Sequence, residues 1–276
     1  MTDQSEWTGK VGNVWADEWR RTDRSFGPVT ERLLQVAQAT PFAQALDIGC
    51  GAGEISVDLA KGAPSSRVLG VDISDDLLDV ARVRSGDLPN LRFELADAAS
   101  WMAGEAEKPD LLVSRHGVMF FADPGAAFAH IRAQSAAGAR LVFSCFREWG
   151  DNGWARELAS VVPSNGDTLP DPDAPGPFAF GRQERVTHLL AQAGWTDIAF
   201  EAVDYGMVAG QGGDAVADAL SYFQRIGPIA RAAAALEPST KEAMLERLLA
   251  LLEGHHRDGE VSLPAACWIV TARAPA

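Results

Sequence analysis

The chain has 276 residues, 47% of them hydrophobic, and a formal charge of -14 at neutral pH. The apolar content is ample for a large core, and 38 acids against 24 bases argue against tracking a phosphate backbone or an anionic membrane surface. No apolar run reaches spanning length and the N-terminus is polar and acidic, so a cytoplasmic protein with no signal peptide is expected.

Residues 1–40 read as an N-terminal helical cap, in which Trp7, Trp15 and Trp19 precede a helix near residues 31–39. Ala45, Leu46 and Ile48 then end a buried strand, and Ile55, Val57, Leu59 and Ala60 open a helix. Between them Asp47, Gly49, Cys50, Gly51 and Gly53 form a turn whose glycines permit positive φ and close approach of a ligand to the main chain. A strand, glycine loop and helix at the carboxyl edge of a parallel sheet is where nucleosides and dinucleotides bind.

The alternation continues. Residues 67–72 form a short strand ending in Asp72, and a helix follows, with Asp75 the favoured cap and Leu77, Leu78, Val80, Ala81 and Val83 apolar. Residues 91–97 and 110–116 are the third and fourth strands. Residues 124–134 are a helix capped by Asp123 with Pro124 at its first position. Residues 140–146 are the fifth strand. Such alternation predicts a doubly wound α/β fold in one domain, with a mostly parallel seven-stranded sheet.

Residues 148–181 break the rhythm as an irregular insertion, proline-rich between 170 and 177. A helix over 182–193 stops at Gly194, and strands follow at 196–208 and 265–273. Residues 212–260 between those strands are helix-forming, and Ser239 and Glu242 have capping-box spacing. The helix they begin carries Met244, Leu245, Leu248, Leu249 and Leu252 on one face and ends at Gly254. Cys50, Cys145 and Cys267 are far apart, which suits buried reduced thiols, and no metal ligand set is expected.

The glycine spacing departs from a dinucleotide fingerprint. Counted from Gly49 the third glycine comes one residue early, at Gly53, and Glu54 follows at the helix start, where it would repel a pyrophosphate. The spacing favours a nucleoside without phosphates and with positive charge, and S-adenosylmethionine (SAM) fits. Asp47 could hold its ammonium through backbone or water, and the loop amides its carboxylate.

The stretch Leu46-Asp47-Ile48-Gly49-Cys50-Gly51-Ala52-Gly53-Glu54 resembles motif I of the class I SAM-dependent methyltransferases. The resemblance covers residues 42–146 well and the C-terminal third only in architecture. It implies a SAM-binding core over residues 41–147, a C-terminal antiparallel hairpin, helices of 212–260 as a substrate cover, and S-adenosylhomocysteine as coproduct. Asp72, with Ile73 beside it, would take the ribose hydroxyls, Asp97 the adenine amine and the Ala98 amide a ring nitrogen. Arg115 would meet the methionine part through its backbone, and Trp15 could close on the sulfonium.

His116 is the histidine placed at the reaction edge, a candidate base for a hydroxyl or amine nucleophile. The chain lacks the Asn/Asp-Pro-Pro-aromatic motif of exocyclic amino methyltransferases, reading Ser114-Arg115-His116-Gly117, and a loop cysteine for cytosine chemistry. A small apolar or aromatic metabolite, methylated on O, N or C, is then the expected acceptor, without nucleic acid or membrane partners, in a monomer or homodimer. Trp149, Trp154, Phe178, Phe180, Tyr222, Phe223 and Ile226 are the candidate pocket lining. A SAM-binding protein without transfer stays open as an alternative, as does a nicotinamide oxidoreductase.

Overall fold

The computed structural model describes residues 9–104, 107–163, 171 and 173–276. Trp7 and residues 170 and 172 of the proline-rich stretch lie outside the described residues. Helix α1 (Lys10–Asp17) leads at Glu18 into α2 (Trp19–Gln38). The sheet strands are β1 (Gln44–Ile48), β2 (Arg67–Asp72), β3 (Leu91–Leu95), β4 (Leu111–Arg115) and β5 (Arg140–Phe146). Between them lie α3 (Glu54–Gly62), α4 (Asp75–Ser85) and α5 (Pro124–Gln134). After β5 come α6 (Gly153–Val161), α7 (Gln183–Gln192) and β6 (Thr196–Gln211), then α8 (Ala215–Arg225), α9 (Gly227–Ala235) and α10 (Pro238–Gly254). The two-residue β7 (His256–Arg257) and long β8 (Glu260–Arg273) close the described chain.

The strand order is β3-β2-β1-β4-β5-β8-β6, parallel from β3 to β5, with β8 antiparallel between β5 and β6. Doubly wound topology is therefore as expected, with β7 as an eighth strand paired to β8. Asp258 and Gly259, both at positive φ, make the tight turn between those two strands. Central strands buried on both faces explain the near-continuous apolar runs in β1, β4 and β5. Leu46, Ile48, Leu112, Phe143, Phe128 and Trp195 lie at the centre of that core.

The hairpin of β6 and β8 outgrows the rest of the sheet. β5 ends at Phe146, opposite Cys267, whereas β8 continues through Ala266 to Glu260, paired with β6 up to Gln211. The projecting part carries α8, α9 and α10, with α6 beneath, around a second apolar cluster of Leu158, Tyr222, Phe223, Met244, Leu248 and Leu252. Among the described residues no helix is long and apolar enough to cross a membrane.

Several local expectations are corrected. Helix α6 lies inside the region read as irregular, its Leu158 and Val161 packed into the second cluster. Helix α2 starts at Trp19 and runs through Pro28 instead of beginning after it. A proline inside a helix costs about 3 kcal/mol, which the burial of Val29, Leu33 and Ala37 offsets. The capping box does not form, because Pro238 takes the first helical position and Glu237 becomes the cap. Ser74, not Asp75, caps α4, its hydroxyl accepting the Leu77 amide. Strand β3 stops at Leu95, so Asp97 sits in the following turn.

Candidate active site

The glycine loop is built by backbone geometry. Gly49, Gly51 and Gly53 have φ of 64°, 53° and 82°, a region that side chains rarely enter. A Cβ on Gly49 would lie 3.1 Å from the Gly117 Cα, and one on Gly53 would lie 2.8 Å from the Ala81 side chain. Those two glycines are thus spent on packing the loop against the tip of β4 and against α4. Gly51 differs: its Cβ direction is open, leaving the main chain approachable. The loop is braced by the Cys50 amide donating to Val71 O at 3.0 Å and by Arg84 donating to Ala52 O at 3.0 Å.

Asp72 ties this loop to β2. Its carboxylate accepts the Gly51 amide at 2.8 Å and the Ser74 amide at 2.9 Å, one on each oxygen. Burial raises its pKa, and the amides of Ser74, Gly51 and Ile73 work against that. Each oxygen keeps acceptor capacity for a further donor, as a ribose site requires. Beside it Asp97 is half-buried, accepting the Ala99 amide at 2.9 Å, and Ala98 is buried.

Asp47 is turned inward. It is buried and accepts the Ser56 hydroxyl at 2.6 Å, pinning α3 to β1 beneath the loop. Desolvation pushes its pKa up to about 7, with Ser56 and then Arg115 opposing. The buried Cys50 thiol is likewise pushed well up by burial.

Arg115 is the hub of a charge cluster. Its guanidinium pairs with Glu54, meets Asp23 of α2 at 3.1 Å and donates to Thr30 Oγ1 at 2.8 Å. Asp23 also holds Arg84 at 2.8 Å. Glu54 is therefore compensated, and the repulsion expected of it toward a pyrophosphate is largely cancelled by Arg115. What remains against a dinucleotide is the glycine spacing.

His116 has a φ of 61°, unusual outside glycine, while its amide donates to Ser144 O at 3.2 Å. The imidazole stacks on Phe146 at 4.5 Å and meets Phe26 at 4.9 Å. Desolvation, with Arg115 second, lowers its pKa to about 3, so it is neutral at pH 7. Its Nδ1 is buried without a hydrogen-bond partner. Nε2 lies 3.9 Å from Cys267 Sγ, and that sulfur is 4.0 Å from the Tyr205 hydroxyl oxygen.

The pocket residues expected from sequence divide between places. Trp154 and Phe178 stack on each other at 5.8 Å and both meet Phe146, alongside His116. Phe180 belongs to the sheet core with Phe128 and Phe143. Tyr222, Phe223 and Ile226 are in the second cluster, the Tyr222 hydroxyl 3.5 Å from Thr22 Oγ1, and Trp149 is 43% exposed. Trp15 packs on that second cluster from α1, while α1 itself runs against α4. Sequence reasoning missed Tyr205, Phe26, Phe146, Asp23 and the part Cys267 plays. Strand register and the seating of α2 bring them together, and no local motif encodes either.

The N-terminal helices and the cover are clasped by charge. Asp218 of α8 pairs with Arg21 at 2.9 Å and Arg24 at 2.8 Å, and Arg225 pairs with Asp17 at 2.7 Å and with Glu18. Arg24 also donates to Ala209 O at 2.6 Å, joining α2 to the projecting hairpin. Among the described residues no cluster of three His, Cys, Asp or Glu is placed to hold a metal ion.

A family model described as a methyltransferase domain matches residues 41–194. The chain is 35% identical over 131 residues to a 37.1 kDa protein of transposon TN4556 from Streptomyces fradiae, covering 46% of this chain and 37% of that one. It is 34% identical over 119 residues to the trans-aconitate 2-methyltransferase of Methylobacterium radiotolerans, covering 43% and 41%. The matched stretch thus spans about two-fifths of each curated relative. Among solved structures, phosphoethanolamine N-methyltransferase 2 of Haemonchus contortus, complexed with phosphomonomethylethanolamine and S-adenosylhomocysteine, superposes with a TM-score of 0.55. At 18% identity, covering 95% of this chain and 57% of that one, the likeness is one of fold.

Proposed function

The chain belongs to the class I SAM-dependent methyltransferases, and from that premise we propose that it methylates O, N or C of a small apolar or aromatic molecule. One observation carries the cofactor half: Gly51 leaves the main chain open at the same point where its amide is fixed by the Asp72 carboxylate. Bound there, SAM supplies an electrophilic methyl group on a sulfonium.

The chain's own work is positioning and exclusion of water. Asp72 and the Ile73 turn take the ribose hydroxyls, Asp97 and Ala98 the adenine edge, and the loop of Gly49, Cys50, Gly51 and Gly53 the amino-acid end. Asp47 serves from below by fixing α3 through Ser56. Arg115, through its backbone and its pair with Glu54, sets the electrostatics at the sulfonium's side of the loop. The α1–α2 pair, with Trp15, and the clasped α8 close the site from above.

His116 acts as a neutral acceptor. An imidazole held near pKa 3 does not ionise a hydroxyl in the ground state, but the proton becomes strongly acidic once the new bond to carbon forms. A weak base is sufficient at that moment. The apolar acceptor class rests on the aromatic surroundings of His116, namely Phe26, Phe146, Trp154 and Phe178.

The test is transfer of isotope-labelled methyl from SAM to a panel of phenols, hydroxylated heterocycles, amines and carboxylic acids. Label on an aromatic acceptor is the expected result. Tight SAM binding with no labelled product across the panel would overturn transfer and leave a non-methylating SAM protein.

A further inference from the structure

Strand β3 forms one edge of the sheet and is bonded on one side only, to β2. At its two ends the Val68 amide donates to Asn90 O and the Ala96 amide to Asp72 O, each at 2.9 Å. Backbone groups alternate sides along a strand, so residues 90, 92, 94 and 96 face β2 and Leu91, Phe93 and Leu95 face outward. Among the described residues, the one outward group with a main-chain partner is the Leu91 amide, 3.4 Å from Leu88 O. An edge left open in this way is a template for another strand.

The strand has the same chemistry read in either direction: Leu91-Arg92-Phe93-Glu94-Leu95. Laid antiparallel on a copy of itself about Phe93, it sets Phe93 against Phe93, and Leu91 against Leu95 of the second copy. Those are the outward-facing residues, so they form the hydrogen-bonded pairs. Arg92 then falls opposite Glu94 of the second copy, in the other kind of pair, where Cα atoms are about 4.5 Å apart and side chains come closer. Both side chains are exposed, and Glu94 meets only the Trp101 indole nitrogen, at 3.4 Å. The strand is neutral within a chain of charge -14. Leu95 is 54% exposed, and so are Val83 and Met102, on the helix before β3 and the segment after it.

We propose that β3 is a self-complementary interface, through which two copies of this chain join their sheets edge to edge about a two-fold axis. An isologous contact of this kind presents one patch to itself and stops at a dimer. The opposite edge, β6, is unsuited to it. Arg24 and Ser25 of α2 occupy its Val208 and Ala209 carbonyls, and it carries Asp197, Glu201 and Asp204 without a base.

The experiment is sedimentation velocity with light scattering on the full chain, as wild type, Arg92→Glu, Glu94→Arg, the double charge exchange, and Leu95→Pro. Wild type should be a dimer at micromolar concentration. Each single reversal sets like charges opposite each other on both sides of the axis and should weaken dimerisation about tenfold. The double exchange should restore the wild-type dissociation constant. Leu95→Pro removes an outward N–H that the β2 ladder does not use, so it should give a monomer with an unchanged circular dichroism spectrum. A wild type still monomeric at about 100 μM would overturn the proposal. So would a dimer that the single reversals leave unmoved, a double exchange as weak as the single ones, or a dimeric Leu95→Pro. Arg92 and Glu94 lie outside the site proposed for SAM, so the result is independent of the methyltransferase reading.

Discussion

The Asp72 carboxylate accepts the Gly51 amide at 2.8 Å, so the acid at the tip of β2 shapes the loop it would serve. Asp72→Ala removes both the proposed ribose acceptor and the loop brace. S-adenosylhomocysteine affinity should fall by about 2–4 kcal/mol, roughly 30- to 1,000-fold. Calorimetry checks it, and an unchanged Kd would show that the ribose lies elsewhere.

Gly49→Ala and Gly51→Ala should separate packing from binding. Both have left-handed backbones, which cost an alanine about 1–2 kcal/mol. Only Gly49→Ala also drives a methyl group against Gly117. Thermal denaturation should put Gly49→Ala below Gly51→Ala by several degrees. Gly51→Ala should instead lose cofactor affinity, because its new methyl projects into open space. The reverse ranking would mean the open side is not the ligand side.

The clasp predicts a kinetic effect. Asp218→Asn weakens two ion pairs whose side chains are 20–29% exposed, together worth about 1 kcal/mol after screening. S-adenosylhomocysteine should dissociate about fivefold faster in a displacement experiment, and raised salt should shrink the difference. Equal off-rates at low salt would show that α8 does not cover the site.

Stability should respond to pH through two buried groups of opposite sign. Asp47, held near 7, binds a proton more readily folded than unfolded, so its contribution is lost as pH rises between about 4 and 7. His116, held near 3, has the opposite linkage: stability falls as pH drops from about 6.5 toward 3. The two oppose each other across the shared range. Urea denaturation of Asp47→Asn should therefore show stability rising more steeply with pH than wild type between 4 and 6.5. Parallel curves would place the Asp47 titration elsewhere.

Local signals carried most of the fold. Strands β2 and β5 and helix α5 start and stop where their apolar runs and caps say, because Asp72, Phe146 and the Asp123-Pro124 pair act within a few residues. The loop, too, was legible from its glycines. Illegible was whatever depends on distant partners. Pro28 sits inside α2 because tertiary burial outweighs it, and Glu54 is neutralised by an arginine 61 positions away. Tyr205 and Cys267 meet only once the β6–β8 register is set.

The most direct test is calorimetric titration of the full chain with S-adenosylhomocysteine and, side by side, with NAD. One-to-one binding of the nucleoside, lost in Asp72→Ala, with no heat from NAD, is the predicted result. Binding of NAD that Asp72→Ala abolishes, with S-adenosylhomocysteine inert, would contradict it.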